Sequence, residues 1–180
     1  GSQALHQRIR GFGGEPETGV AFGSALAAGD VNGDGRAVLL VGVPGETIAG
    51  STEAGRIHEI MGGPGGLDPR RSRPLHQDVD GVAGRVESGD RFGAALAVAD
   101  INGDGFADAL VGAPGEGVGG AARAGQVHVF DGSSTGLTTV GDQVVHQGKP
   151  GVRGAPEEGD LLGSSLTIID LDGDGRRDLV

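Results

Sequence analysis

Three short segments of this chain place oxygen-bearing side chains at alternate positions ahead of a glycine: Asp30, Asn32 and Asp34; Asp100, Asn102 and Asp104; and Asp170, Asp172 and Asp174. Side chains at positions one, three and five of a tight turn can converge on one point. That suits a hard cation such as calcium, which takes roughly six to eight oxygen ligands at about 2.3–2.6 Å. Gly at position six permits the chain reversal. A further carboxylate follows at position nine as Asp108 and Asp178, and the backbone carbonyl at position seven, Phe106 or Arg176, is the expected main-chain donor. The first loop keeps Asp30, Asn32, Asp34 and the Arg36 carbonyl but carries Val38 at position nine, so its site is expected to be the weakest. An EF-hand is excluded, because it demands Glu at position twelve and flanking helices, whereas position twelve is Val41 or Val111 and the flanks read as strands. Asp, Asn and Gly each favour turns for local reasons; the strict alternation is what points to ligands.

These loops recur every 70 residues, and so does much else. Phe22, Phe92 and Leu162, each followed by Gly, keep the same period, as do Glu17, Glu87 and Glu157. The histidines fall into two sets on it, His6, His76 and His146, then His58 and His128. Aligned without a gap, residues 22–58 match 92–128 at 21 of 37 positions. Each unit offers four short apolar or alternating runs bounded by Gly and Pro: 92–99, 109–113, 126–130 and 143–147 in the second. The third run alternates as a half-buried strand does. No Gly-free segment sustains helical periodicity over ten residues, so the fold class is all-β, and four antiparallel strands per long repeat describe a β-propeller blade. The chain reads as two complete blades with partial blades at both ends. Ala4 to Gln7 match a fourth strand, 162–169 a first, and 178–180 the start of a second. Propellers close with about four blades or more, so the unfinished edges are expected to pair with further blades or with another copy of the chain.

Composition limits the function classes. Asp plus Glu number 25 against 14 Lys plus Arg, a formal charge of −11, which argues against nucleic acid because phosphate-backbone binding relies on a basic face. The absence of cysteine removes disulfides and thiolate metal sites. No apolar run approaches the roughly 18 residues of a membrane span, so membrane insertion is not expected. Gly and Pro fill about a quarter of the chain, yet the apolar residues cluster, which indicates a turn-dense globular fold and not disorder. Without Trp or Tyr and with five Phe, the core must be built mainly from Ala, Val, Leu and Ile. Gly1-Ser2 reads as a cloning scar, and the preference for Arg, Ala and Gly over Lys suggests a GC-rich bacterial source.

Phe92-Gly93, then the Asp100–Asp108 loop, then Leu110 to Pro114 as Leu-Val-Gly-Ala-Pro, together resemble the FG-GAP repeat of integrin α-subunit propellers and their bacterial relatives. Phe22-Gly23 with Val41-Gly-Val-Pro44 is a near match, and Leu162-Gly163 with Asp170–Asp178 a shortened third. The resemblance implies a seven-bladed propeller in a full-length protein, calcium in the loop between the first two strands of a blade, and an extracellular setting. It divides the chain into 1–21 (scar, last strand of a preceding blade and connecting loop), blades at 22–77 and 92–147, and a truncated blade at 162–180. The expected role is non-catalytic: a secreted or cell-surface module that binds a protein or glycan through its loops. The alternatives are an accessory propeller of a secreted hydrolase and a fragment that self-assembles.

Other motifs are bland on inspection. Gly132-Ser-Ser-Thr-Gly136 fits the hydrolase nucleophile elbow, which requires a following helix, but the equivalent segment 62–66 has no Ser, so a hairpin turn accounts for both. The 70-residue spacing puts one histidine of a set on each blade and does not gather them at one point, which favours architecture over a shared metal site. Gly117 to Ala122 opens no helix and is no dinucleotide loop, and the basic residues Arg70, Arg71 and Arg73 read as a solvated turn.

Overall fold

A computed structural model describes residues 2–12 and 17–180; Gly1 of the expected scar and residues 13–16 of the first connecting loop lie outside them. The first blade holds β1 (Leu26–Gly29), β2 (Val38–Val43), β3 (Arg56–Ile60), a small hairpin of β4 (Gly62–Gly63) and β5 (Gly66–Leu67), a 3₁₀ turn at Pro69–Arg71, and β6 (Arg73–Leu75). The second holds β7 (Leu96–Ala99), β8 (Asp108–Ala113), β9 (Gln126–Phe130) and β10 (Gln143–Val145), and the chain ends with β11 (Ile168–Ile169) and β12 (Asp178–Leu179). Two antiparallel four-stranded sheets result, in the orders β1-β2-β3-β6 and β7-β8-β9-β10, with a two-stranded beginning of a third. The register repeats with the period: Val41 faces Leu26 and His58, and Val111 faces Leu96 and His128.

β2 and β8 are inner strands, and β8 is buried throughout, which is why their sequences run apolar without alternation. β9 is more enclosed than its alternating sequence suggests, since Gln126 and His128 are buried along with Val127 and Phe130. The polar pair is tolerated because it is satisfied. His128 Nδ1 donates to Asp142 Oδ2 at 2.8 Å, and the Gln126 amide nitrogen lies 3.0 Å from Nε2. The ring packs edge-on to Phe92 at 5.1 Å and parallel to Phe130. Its counterpart His58 bonds through Nδ1 to the Ser72 hydroxyl at 3.1 Å, and burial, helped by Arg56, pushes its pKa down to about 4.

Two expected strands differ. The first strands begin at Leu26 and Leu96, four residues beyond the Phe, because Ala21 and Arg91 adopt left-handed φ of 56° and 58° and turn the chain. Residues 4–7 form no strand. That segment instead lays Leu5 and Ile9 beside Phe12, Phe22, Val41 and Ile60.

The blades are joined by backbone and by core. Gly89, Arg91 and Phe92 N–H groups donate to the Thr52, Glu53 and Ala54 carbonyls at 2.9 Å each, and the pattern recurs from Gly159, Leu161 and Leu162 to 122–124. Between the two sheets lies the main core, including Val38, Leu40, Ile57, Leu75, Phe92, Val111 and Phe130. A polar seam accompanies it: the Gln7 amide donates to Glu46 at 2.7 Å, and the Gln77 amide to Glu116 at 2.6 Å.

Asp90 sits in this seam, 2% exposed, with Oδ2 accepting from Glu87 N–H at 2.6 Å. Burial, reinforced by the charges of Glu116 and Glu87 and opposed by that hydrogen bond, pushes its pKa up to about 7. A folded-state value above the unfolded one means that folding takes up a proton. This contribution is therefore complete below about pH 4 and is lost as pH rises through about 7. Asp90→Asn keeps an oxygen acceptor without the charge. It is expected to stabilise the chain by about 1–3 kcal/mol at pH 8 and hardly at all at pH 4, as read from urea unfolding at the two pH values. An equal effect at both would show that the carboxylate charge is not what the seam resists.

Candidate metal centres

Each acidic loop follows the first strand of its blade and is wound by its own side chains. In the second loop Asp100 Oδ1 accepts from Gly103 N–H at 2.7 Å and Oδ2 from Gly105 N–H at 3.0 Å, while Asn102 Oδ1 accepts from Asp104 N–H and Asp104 Oδ1 from Phe106 N–H, both at 2.9 Å. The third loop repeats these bonds from Asp170, Asp172 and Asp174 to within 0.1 Å. Short Asx side chains reach backbone donors two to five residues on, which fixes the turn and gathers the carboxylates. Gly103 and Gly105, at φ of 78° and 91°, take the left-handed positions this winding requires.

In the third loop one carboxylate oxygen from each of Asp170, Asp172 and Asp174 lies within 4.8 Å of the others. Two oxygens that both ligate one calcium ion stand at most roughly 5 Å apart, so the trio fits such an ion. Position nine behaves otherwise. Asp108 is 1% exposed; its Oδ2 accepts from Ile101 N–H and its Oδ1 from Gly132 N–H, both at 2.9 Å. Asp178 Oδ2 likewise accepts from Leu171 N–H at 2.8 Å and is not part of the trio. The structure thus gives position nine an anchoring duty, holding the loop to the strand that follows.

The first loop departs in three ways. Val38 occupies position nine and is buried. The Arg36 guanidinium lies 3.5 Å from Asp34 Oδ2. The Asn32 amide is satisfied only with its nitrogen toward Asp30 Oδ1 at 3.0 Å and Asp34 Oδ1 at 3.3 Å. The guanidinium partly offsets the charge that a cation would neutralise in the other loops.

A family model described as FG-GAP repeat matches residues 22–59 and 92–130. The chain carries FG-GAP repeats. It is similar to phosphatidylinositol-glycan-specific phospholipase D of Rattus norvegicus, at 37% identity over 159 residues, covering 88% of this chain and 18% of that protein. It also resembles integrin alpha-3 of Cricetulus griseus, at 34% over 155 residues, 86% and 13%, and integrin alpha-PS2 of Drosophila melanogaster, at 33% over 168 residues, 91% and 11%. The chain therefore spans less than a fifth of the length of each of these relatives.

The geometry explains the two halves of the FG-GAP signature. Within a blade, Gly93 N–H donates to the Gly112 carbonyl at 2.9 Å, as Gly23 does to Gly42. Between blades, a Cβ on Gly42 would overlap the Gly93 carbonyl oxygen, and one on Gly112 that of Gly163. Phe92 supplies a fully buried ring against His128, and Pro114 ends β8.

The nucleophile-elbow match at Gly132–Gly136 is a turn leading to β10 in which Ser133 Oγ donates to the Gly136 carbonyl at 2.6 Å. The arginines 70, 71 and 73 do not act together: Arg70 pairs with Asp68 at 3.0 Å, and Arg73 with buried Glu59. Asp131 was not apparent from the sequence, because Met61 holds its place in the first unit. It lines a cavity of about 240 Å³ with Asn102, Asp108 and Asp178. Burial, with Asp108 and Asp104 nearby, raises its pKa. No helix among the described residues is long and apolar enough to cross a membrane.

Proposed function

We propose that this FG-GAP segment is a calcium-stabilised, non-catalytic propeller module of a secreted or cell-surface protein, presenting its loops to a protein or glycan ligand. The observation that carries the cation is the convergence of Asp170, Asp172 and Asp174, wound by the same bonds that wind Asp100, Asn102 and Asp104. A hard divalent ion supplies the positive charge that would let three carboxylates share one small volume. The extracellular placement and the ligand-presenting role rest on the resemblance to integrin α-subunits, and calcium at the millimolar level suits such a setting. A second reading, an accessory propeller beside a catalytic domain, is favoured by the 37% identity to a phospholipase D. The domains encoded beside these repeats in the full-length protein separate the two.

The sites are expected to rank with loop one weakest. Isothermal calorimetry with calcium tests both the binding and the order. Asp104→Ala should remove one of the tighter sites, whereas Asp34→Ala should remove only a weak one. Val38→Asp should strengthen loop one severalfold if an anchoring carboxylate is what it lacks, and Asp108→Val should weaken loop two. Absence of calcium heat in the unmodified chain, or a loop-one site tighter than the others, would overturn this reading.

A further inference from the structure

The first two acidic loops touch, and the contact runs through the residues that would ligate. Phe106, at position seven of loop two, lays its ring over Gly33 of loop one so closely that a Cβ there would stand 2.8 Å from the ring. Phe106 N–H is itself bonded to Asp104 Oδ1 at 2.9 Å. The next residue, Ala107, donates its N–H to the carbonyl of Asp30 at 3.0 Å. A third strut lies beneath: Gly132 N–H holds Asp108 Oδ1 at 2.9 Å while the adjacent Ser133 N–H holds the Val31 carbonyl at 3.1 Å. Every strut thus links loop two, or the segment bonded to it, to residues 30–33. Among the described residues loop three places no ring over loop two as Phe106 does over loop one: a Cβ on Gly103 would meet nothing within 4 Å, and position seven of loop three is Arg176.

From this we infer that the first two loops form a cooperative pair, in which filling loop two orders loop one through Phe106 and Ala107, while loop three acts alone. The inference rests on the calcium reading above. Its physical basis is that half-buried Asp30 and exposed Asp34 sit on a turn that must be held still before they can share an ion, and the Phe106 ring and the Ala107 bond hold that turn from outside. Immobilising residues 104–107 removes part of the ordering cost that loop one otherwise bears alone. Linkage makes the effect reciprocal. It also gives the first loop, which lacks a position-nine carboxylate, a substitute source of order from its neighbour.

The test is a calcium titration of the 180-residue chain followed by amide resonances, with Gly33 and Gly35 reporting loop one, Gly103 and Gly105 loop two, and Gly173 and Gly175 loop three. Phe106→Ala keeps the backbone carbonyl and the Asp104 bond but deletes the ring; Phe106 is half-buried at the surface of the loop, so the blade core is untouched. The expected result is a loop-one midpoint moved to higher calcium by about fivefold, the lower end of ordinary coupling between sites, a loop-two midpoint moved the same way but by less, because loop two fills first, and a loop-three midpoint unchanged. Asp104→Ala should move the loop-one midpoint in the same direction and leave loop three alone. If loops one and two both respond to calcium but Phe106→Ala leaves loop one where it was, the coupling is overturned and the calcium reading stands. If no loop glycine shifts with calcium, both are overturned.

Discussion

Calcium at about ten times a dissociation constant on the order of 10⁻³ M is expected to raise the melting temperature of the chelator-treated chain by roughly 6–11 °C. The size follows from mass action. At that ratio each occupied site adds about 1.4 kcal/mol to the folded state, so the second and third loops together add about 3 kcal/mol, and a domain of this size gains roughly 2–4 °C per kcal/mol. Magnesium should do less, because it demands a near-octahedral shell and gives up water reluctantly, whereas these loops offer clustered carboxylates on largely exposed turns. Asp174→Asn and Asp104→Asn together, one position-five carboxylate from each loop, should halve the gain or more while leaving the chelator-treated melting temperature equal or higher, since each removes a charge from a crowded loop. Differential scanning calorimetry with and without chelator decides it, and superimposable curves would remove calcium from the account of this fold.

The parts of the structure that repeat were legible in the sequence, and the parts that do not repeat were hidden. Strand order, the inner position of 109–113 and the buried histidines all follow from a period that copies the same environment twice. Contacts between blades follow no such rule. Glu59 crosses to the second blade, where Oε1 accepts from Leu137 N–H at 2.9 Å while Arg73 Nε holds Oε2 at 2.7 Å. Its counterpart Val129 does nothing comparable, so alignment of the units conceals the link. Asp108 shows the opposite difficulty. Its spacing is that of a ligand, and backbone N–H groups on both oxygens of the buried carboxylate give it a further duty, holding the loop to β8 and to Gly132, which spacing alone does not show. Phe106 over Gly33 was equally hidden, because the period superposes the loops and gives no sign of which neighbours touch.

The largest single loss of stability is expected from Gly112→Ala. Gly112 is the penultimate residue of β8, with its carbonyl accepting from Gly93 and Ala94 N–H at 2.9 and 3.3 Å and its own N–H bonded to the Ala95 carbonyl at 2.9 Å. Its φ is not in the left-handed region, so alanine is conformationally acceptable there, and the whole penalty is spatial. The added methyl would overlap the Gly163 carbonyl oxygen, which is main chain from the next blade and cannot rotate away. Either that blade shifts, breaking the Leu162-to-Ala124 and Leu161-to-Arg123 backbone bonds, or β8 leaves its register within a sheet buried on both faces. Overpacking typically costs about 1–3 kcal/mol; against rigid main chain the upper end is expected, and Gly42→Ala, facing the Gly93 carbonyl oxygen, should cost a similar amount. Gly65→Ala is the control. That glycine lies outside the left-handed region and a Cβ would meet nothing within 4 Å, so the substitution should stabilise by about 0.4–1 kcal/mol through the unfolded chain alone. Urea unfolding of the three variants should therefore show two midpoints well below the parent and one slightly above it. A Gly112→Ala chain within 1 kcal/mol (about the size of an ordinary point-mutant effect) of the parent would show that successive blades do not meet backbone to backbone at this glycine.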